Sequence, residues 1–290
     1  MTARDTAIVE AVHRYRMLER RQIEKLFSPS SPHSTRIPRR LRLLYQYSYL
    51  DRVLRPIYPE EGDRGPVYRL GVEGARLLAR RTGTPLASFR YWGRGDDKDA
   101  RKTHVTPLFL EHGLALSDLR IAIERAAFAR NCTIQFWQDE MDLKRAYGRE
   151  PARVTLRSNG RTEQVPIIPD GYFALTTSKG RGHFFLELDR STETISRKWR
   201  RKILGYKEYV RSGRFHKRYG ANSLQTPLRI LTLTLSLKHA GNLKAAAERY
   251  GPPEFSPLFL FAPLEALASQ DPLSSPIWLR AGSKQHQAIL

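Results

Sequence analysis

Cysteine is almost missing from this chain of 290 residues. Cys132 stands alone, which excludes an intrachain disulfide and a zinc site built on cysteine, and fits a reducing compartment. Long apolar runs are missing too. None approaches the roughly 18 residues of a membrane span, and the N-terminus lacks the basic, apolar and small-residue succession of a secretory signal. The expectation is a cytoplasmic protein with no membrane partner. Several chemical signatures are also absent. There is no Gly-rich phosphate loop, no G-x-S-x-G elbow and no H-E-x-x-H pair, so the sequence offers no basis for nucleotide hydrolysis, serine-hydrolase chemistry or a zinc protease. Acidic residues are scarce, 29 against 50 Lys and Arg, leaving a net charge of +21. Solubility does not require so large an excess, which points to a polyanionic partner, nucleic acid being the commonest.

What is present begins with helical patterns. Ile8, Val9, Ala11 and Val12 recur at helical spacing, and Leu18, Ile23, Leu26 and Phe27 mark a second helix that the Pro and Ser cluster from residue 28 stops. A third carries Ile37, Leu41, Leu44 and Tyr45 on one stripe and Arg36, Arg39, Arg40 and Arg42 largely off it. Its Pro38 is tolerable only in a first turn. Two β-favouring runs separated by the turn-rich PEEGDRG follow, then the helical GVEGARLLARR. Three helices, a hairpin and a helix is the order of a winged helix-turn-helix, whose third helix enters the major groove. Residues 1–85 are therefore expected to form a winged-helix domain on double-stranded DNA. Arg36, Arg39, Arg40 and Arg42 would read the duplex, with Arg55 and Arg64 of the wing on phosphates. A unit of this order can also dock a protein.

Residues 86–103 mix Gly, Pro and charge and read as a linker, 104–268 as a second domain and 269–290 as a tail. In the second domain the order is helix, three strands, helix, strand, helix, strand, which favours a central sheet with helices on its faces. If DGYFAL and HFFLELD pair as a hairpin, Asp170 neighbours Glu187 and Asp189, with Phe185, Glu187 and Asp189 on one strand face. Three converging carboxylates need a cation. Either the basic helix that follows supplies it, or a divalent ion such as Mg2+ or Mn2+ does. Residues 190–218 hold 11 Lys and Arg against two Glu, the densest positive charge in the chain. Arg197, Lys198, Arg201 and Lys202 would line a basic groove beside the acids.

Pro169-Asp170 followed by Glu187 resembles the PD-(D/E)xK motif. The chain as a whole resembles the replication-relaxation family of plasmids and bacterial mobile elements, through LRLLYQYSYLDR, LEHGLALSDLRIAI, the strand at Trp137, PDGYF, FFLELDRSTE and the pair Lys202 and Tyr206. The resemblance implies an α+β protein: a winged helix followed by an α/β domain like the restriction endonucleases, acting on DNA in replication, copy control or relaxation. It also implies Asp170, Glu187 and Lys202 as the catalytic set and Asp170, Glu187 and Asp189 as metal ligands, should the domain be an active nuclease or nickase. The sequence departs from the motif where Asp189 stands in place of a lysine two residues after Glu187. Lys202 or Lys198 would have to replace it, and Glu111 or Glu124 could complete a metal shell; otherwise the domain is catalytically silent. Replication, relaxosome or transposition proteins and a second copy of the chain remain open as partners.

Overall fold

The computed structural model describes residues 1–27, 36–55, 64–92, 106–146, 152–158, 161–190, 197–220 and 228–290. The chain is mixed α and β, and it divides into two compact units, Met1–Ile121 and Ala122–Leu290. Among the described residues, no helix is long and apolar enough to cross a membrane.

In the first unit, Thr2 caps α1 (Ala3–Tyr15). Its hydroxyl accepts from the Asp5 N–H at 3.3 Å while the Asp5 carboxylate accepts from the Thr2 N–H at 2.6 Å, so two donors at the helix start are satisfied reciprocally. The two-residue strand β1 (Leu18–Glu19) leads into α2 (Arg20–Phe27) and then α3 (Arg36–Gln46). Ile8, Val9 and Val12 of α1 form one core with Ile23 of α2 and Ile37, Leu41 and Leu44 of α3. Pro38 lies in the first turn of α3, where its missing N–H breaks no helical bond. Next come β2 (Leu50–Val53), β3 (Val67–Leu70) and α4 (Val72–Thr82), the three strands forming an antiparallel sheet in the order β1-β3-β2. At the β3 to α4 junction, a Cβ on Gly71 would lie 2.2 Å from the Ser48 carbonyl oxygen, so this close approach admits only glycine.

The first unit runs beyond residue 85, into α5 (Pro107–Ala129). Leu110 and Leu114 pack with Met17 and Val67, the Ser117 hydroxyl donates to the Met17 carbonyl at 3.0 Å, and the Gln22 amide donates to the Leu114 carbonyl at 2.9 Å. Residues 93–103 of the expected linker lie outside the described residues.

The second unit continues through β4 (Thr133–Asp139), α6 (Glu140–Ala146), the hairpin strands β5 (Ala152–Ser158) and β6 (Arg161–Ile167), β7 (Gly171–Thr177) and β8 (Gly180–Asp189). Then follow α7 (Arg197–Arg211), α8 (Arg214–Tyr219), β9 (Leu228–Thr234), α9 (Leu237–Arg249), β10 (Phe259–Pro263), α10 (Ala266–Ser269), β11 (Trp278–Arg280) and β12 (His286–Gln287). Seven strands form one sheet in the order β12-β11-β10-β9-β8-β7-β4, with β8, β9 and β10 parallel. Tyr172, Phe185, Ile230 and Phe259 point from adjacent strands into a core with Trp199, Ile203 and Tyr206 of α7 and Leu243 of α9. Phe184, Leu186, Leu231 and Leu260 on the opposite face are buried too, which is why these strands read as continuous apolar runs.

The hairpin expected around residues 178–180 is present: β7 and β8 pair from Gly171↔Leu186 to Thr177↔Gly180. Gly180 closes it at φ +126°, a conformation that favours glycine. The expected tail is corrected. Residues after 268 supply β11 and β12 to the sheet, anchored by the buried Trp278, whose indole N–H donates to the Pro272 carbonyl at 2.8 Å.

Lys207 is a buried cation with a structural task. Its ammonium donates to the Ala247 carbonyl at 2.7 Å, the Tyr250 carbonyl at 2.5 Å and the Ser256 hydroxyl at 3.1 Å, so three donors meet three acceptors at the end of α9. Burial lowers its pKa. Lys207→Met is expected to cost about 3 kcal/mol, because three buried acceptors lose their donor; urea unfolding at neutral pH, read as a lowered midpoint at unchanged slope, checks it.

Candidate functional site

Two regions gather the residues that the sequence singles out. In the first unit, α3 turns Ile37, Leu41 and Leu44 into the core and exposes Arg36, Arg39, Arg42 and Gln46. Among the described residues, no carboxylate pairs with Arg39 or Arg42. Arg40 behaves differently from its neighbours. Its Nε donates to Asp5 Oδ1 at 2.8 Å and its Nη2 to Asp5 Oδ2, a two-point pair with a fully buried carboxylate. Burial pushes the Asp5 carboxyl up, but the hydrogen bonds from Arg40 and Thr2 outweigh it and hold the pKa at about 2. Arg40 thus fastens α3 to α1 instead of facing outward with its neighbours.

Arg55 and Arg64 are also held within the unit. Arg55 is nearly buried and donates to Glu19 at 2.8 Å, to the Arg64 carbonyl at 2.6 Å and to the Gly65 carbonyl at 3.2 Å. Arg64 donates to Glu111 at 3.0 Å. Glu111, weighed above as a metal ligand, instead neutralises the base of the hairpin. Sequence spacing could not show this, since each pair joins elements far apart in the chain. Residues 56–63, between β2 and β3 in sequence, lie outside the described residues.

The second region is built by the β7 and β8 register. Asp170 immediately precedes β7; its N–H donates to the Leu186 carbonyl at 2.9 Å and its Oδ2 accepts from the Leu188 N–H at 2.8 Å, which sets it beside Glu187. Glu187 is 1% exposed. Both of its oxygens are occupied: Oε2 by the Lys202 ammonium and Oε1 by the Tyr206 hydroxyl, two residues one turn apart on α7. Burial pushes the Glu187 carboxyl up to about 7; Lys202 opposes the rise and Asp170 adds to it. Burial alone would lower Lys202, but Glu187 and Asp170 outweigh it and hold the ammonium above its ordinary value. Tyr206 is raised well above its ordinary value, by burial first and then by Glu187, so it stays a donor.

Asp189 turns to a different partner. Its Oδ2 lies 2.8 Å from His239 Nε2 at the start of α9, a helix capped by Ser236, whose hydroxyl accepts from the His239 N–H at 3.2 Å. The three carboxylates therefore have different hydrogen-bond partners, although all three act to raise the Lys202 pKa. Among the described residues, no three His, Cys, Asp or Glu side chains are placed to hold a metal ion. The expected Mg2+ or Mn2+ ligand set of Asp170, Glu187 and Asp189 is not such a group. Of the expected basic groove, Lys198 is exposed one turn before Lys202, while Arg201 pairs with Glu163 of β6. The Arg197 side chain lies outside the described residues.

A family model described as replication-relaxation matches residues 9–224. The chain belongs to the replication-relaxation family. Comparison with curated proteins and with solved structures yields no match. In this replication-relaxation protein the matched span contains α2 through α8 and so includes Asp170, Glu187, Lys202 and Tyr206, while His239 falls beyond it. In the sequence Tyr206 stands out only as the partner of Lys202 in the family resemblance, with no role assigned to it. Its spacing of four from Lys202 was the signal that it shares a target. His239, 50 residues from Asp189, had no such signal.

Two outcomes follow for stability. Glu187→Gln and Lys202→Met should each cost about 3 kcal/mol, because each leaves a buried partner uncompensated, and the double variant should cost clearly less than the sum; chemical denaturation of all four proteins measures the coupling. Asp5, held at about 2 against an ordinary 3.8, binds its proton less readily when folded. Its contribution is therefore complete above about pH 4 and fades as pH falls toward 2, so Asp5→Asn should flatten the acid limb of the thermal-stability profile.

Proposed function

We propose that the protein is a duplex-DNA binder of a plasmid or mobile element, acting in replication, copy control or DNA relaxation. The first unit serves as a winged helix with α3 on DNA. The second serves as a PD-(D/E)xK-like domain whose carboxylate site is not catalytic. One observation carries the reading. The outward face of α3 offers the guanidinium groups of Arg39 and Arg42, with no carboxylate opposite them among the described residues, in a chain of net charge +21, whereas Glu187 of the second unit is already answered by Lys202. The order of α5, β4, β7, β8, α7 and β9 supports the nuclease-like assignment.

Glu187 supports the absence of catalysis. A carboxylate with both oxygens engaged by Lys202 and Tyr206 has its lone pairs directed into the protein. A second reading, a divalent-metal-dependent endonuclease or nickase, is favoured by a different aspect of the same contact. Lys202 brings an ammonium group to Glu187, which is what the motif lacks at Asp189.

Affinity for duplex DNA should fall steeply between low and moderate salt, because each neutralised phosphate releases counterion. Arg39→Glu with Arg42→Glu should weaken binding at least tenfold. Fluorescence anisotropy measures both, and affinity indifferent to salt would remove the DNA reading. Supercoiled plasmid incubated with Mg2+ or Mn2+ should be retarded but intact, alike for wild type and for Asp170→Asn/Glu187→Gln. Nicked or linear product from wild type alone would transfer the conclusion to the nuclease.

A further inference from the structure

The outward face of α3 is narrower and more uniform in chemistry than a general basic surface. At 100° per residue, Arg39, Arg42 and Gln46 fall within about 60° of one another. That stripe lies diametrically opposite Ile37, Leu41 and Leu44, which are buried. The core contact of α3 therefore directs these three side chains away from the body of the unit. Arg40, which falls on the flank of the helix, is held by Asp5 and does not compete for the same surface. The helix, RIPRRLRLLYQ, contains no Asp or Glu.

Along the axis the stripe extends seven residues, about 10.5 Å at 1.5 Å each. Base pairs are stacked about 3.4 Å apart, so the stripe covers about three base-pair steps. Chemistry then limits what it can read. A guanidinium matches the paired acceptors O6 and N7 of guanine, and a carboxamide matches the N6 and N7 of adenine. With no carboxylate on the helix, cytosine N4 has no anionic acceptor there.

Resting on the reading of α3 as the DNA contact, we infer that this helix selects a guanine-rich major-groove site, with Arg39 and Arg42 each on a guanine and Gln46 on an adenine. The guanines lie one to two base pairs apart and the adenine about two further on, in the order of the side chains.

The test uses the full chain and a pool of random duplexes at one fixed salt concentration, with the bound fraction sequenced. Enrichment of two guanines followed by an adenine at these offsets is expected. In anisotropy titrations, replacing either guanine by adenine should lower affinity roughly tenfold to a hundredfold. Arg39→Gln, at an exposed position, should change the preference at one base pair from guanine to adenine and leave the others as they were. Salt-dependent binding with no base preference, or with enrichment of A·T pairs alone, would overturn the inference and place Arg39 and Arg42 on phosphates, while DNA binding itself stands. Failure to bind any duplex at low salt would overturn the DNA reading and the inference together.

Discussion

A carboxylate sealed within a sheet must be answered by another element, and Glu187 imposes that requirement on the second unit. Solvent is closed off on its strand, so its two oxygens need donors from the helix that covers them. Lys202 and Tyr206 supply them from adjacent turns of α7. A slip of α7 by one residue would rotate both donors away together, so the polar contact fixes a register that the apolar stripe of Trp199 and Ile203 alone would leave adjustable. Asp189, two residues on, repeats the arrangement with His239 and fixes the start of α9 in the same way.

The first unit shows how scarce acids apportion abundant arginines. Asp5 takes Arg40, Glu19 takes Arg55, Glu111 takes Arg64 and Asp51 takes Arg69. Each acid closes a joint between elements, whereas among the described residues no carboxylate pairs with Arg39 or Arg42 on the outward side of α3. Internal pairing thus removes several arginines from the surface of the unit, which is why charge counted along the sequence overstates how many face outward.

Much of the fold was legible because apolar period and turn chemistry are local. The helices around Val9, Ile23 and Leu41 and the turn of the β7 to β8 hairpin follow from spacing within a few residues, and the adjacency of Asp170 to Glu187 follows from that hairpin. What escaped was either short or distant. The β5 to β6 hairpin is hard to read although Asn159-Gly160 stands between its two β-favouring runs in sequence, because polar residues interrupt those runs. The strands after residue 268 are brief and depend on a sheet already formed. Arg40, Arg55 and Arg64 were assigned to DNA because their carboxylates lie 35 or more residues away in sequence, beyond the reach of any pattern along one helix.

Lys207 and Lys202 sit five residues apart on α7, one joined to the end of α9 and the other to the sheet. A helix pinned to two different neighbours by buried charge has no low-energy way to lift from either. Its amide protons would then exchange with solvent only as the whole unit opens, at the slow limit of native-state exchange. The sheet, α7 and α9 would then open as a single cooperative block, and solvent would reach Glu187 only when that block comes apart.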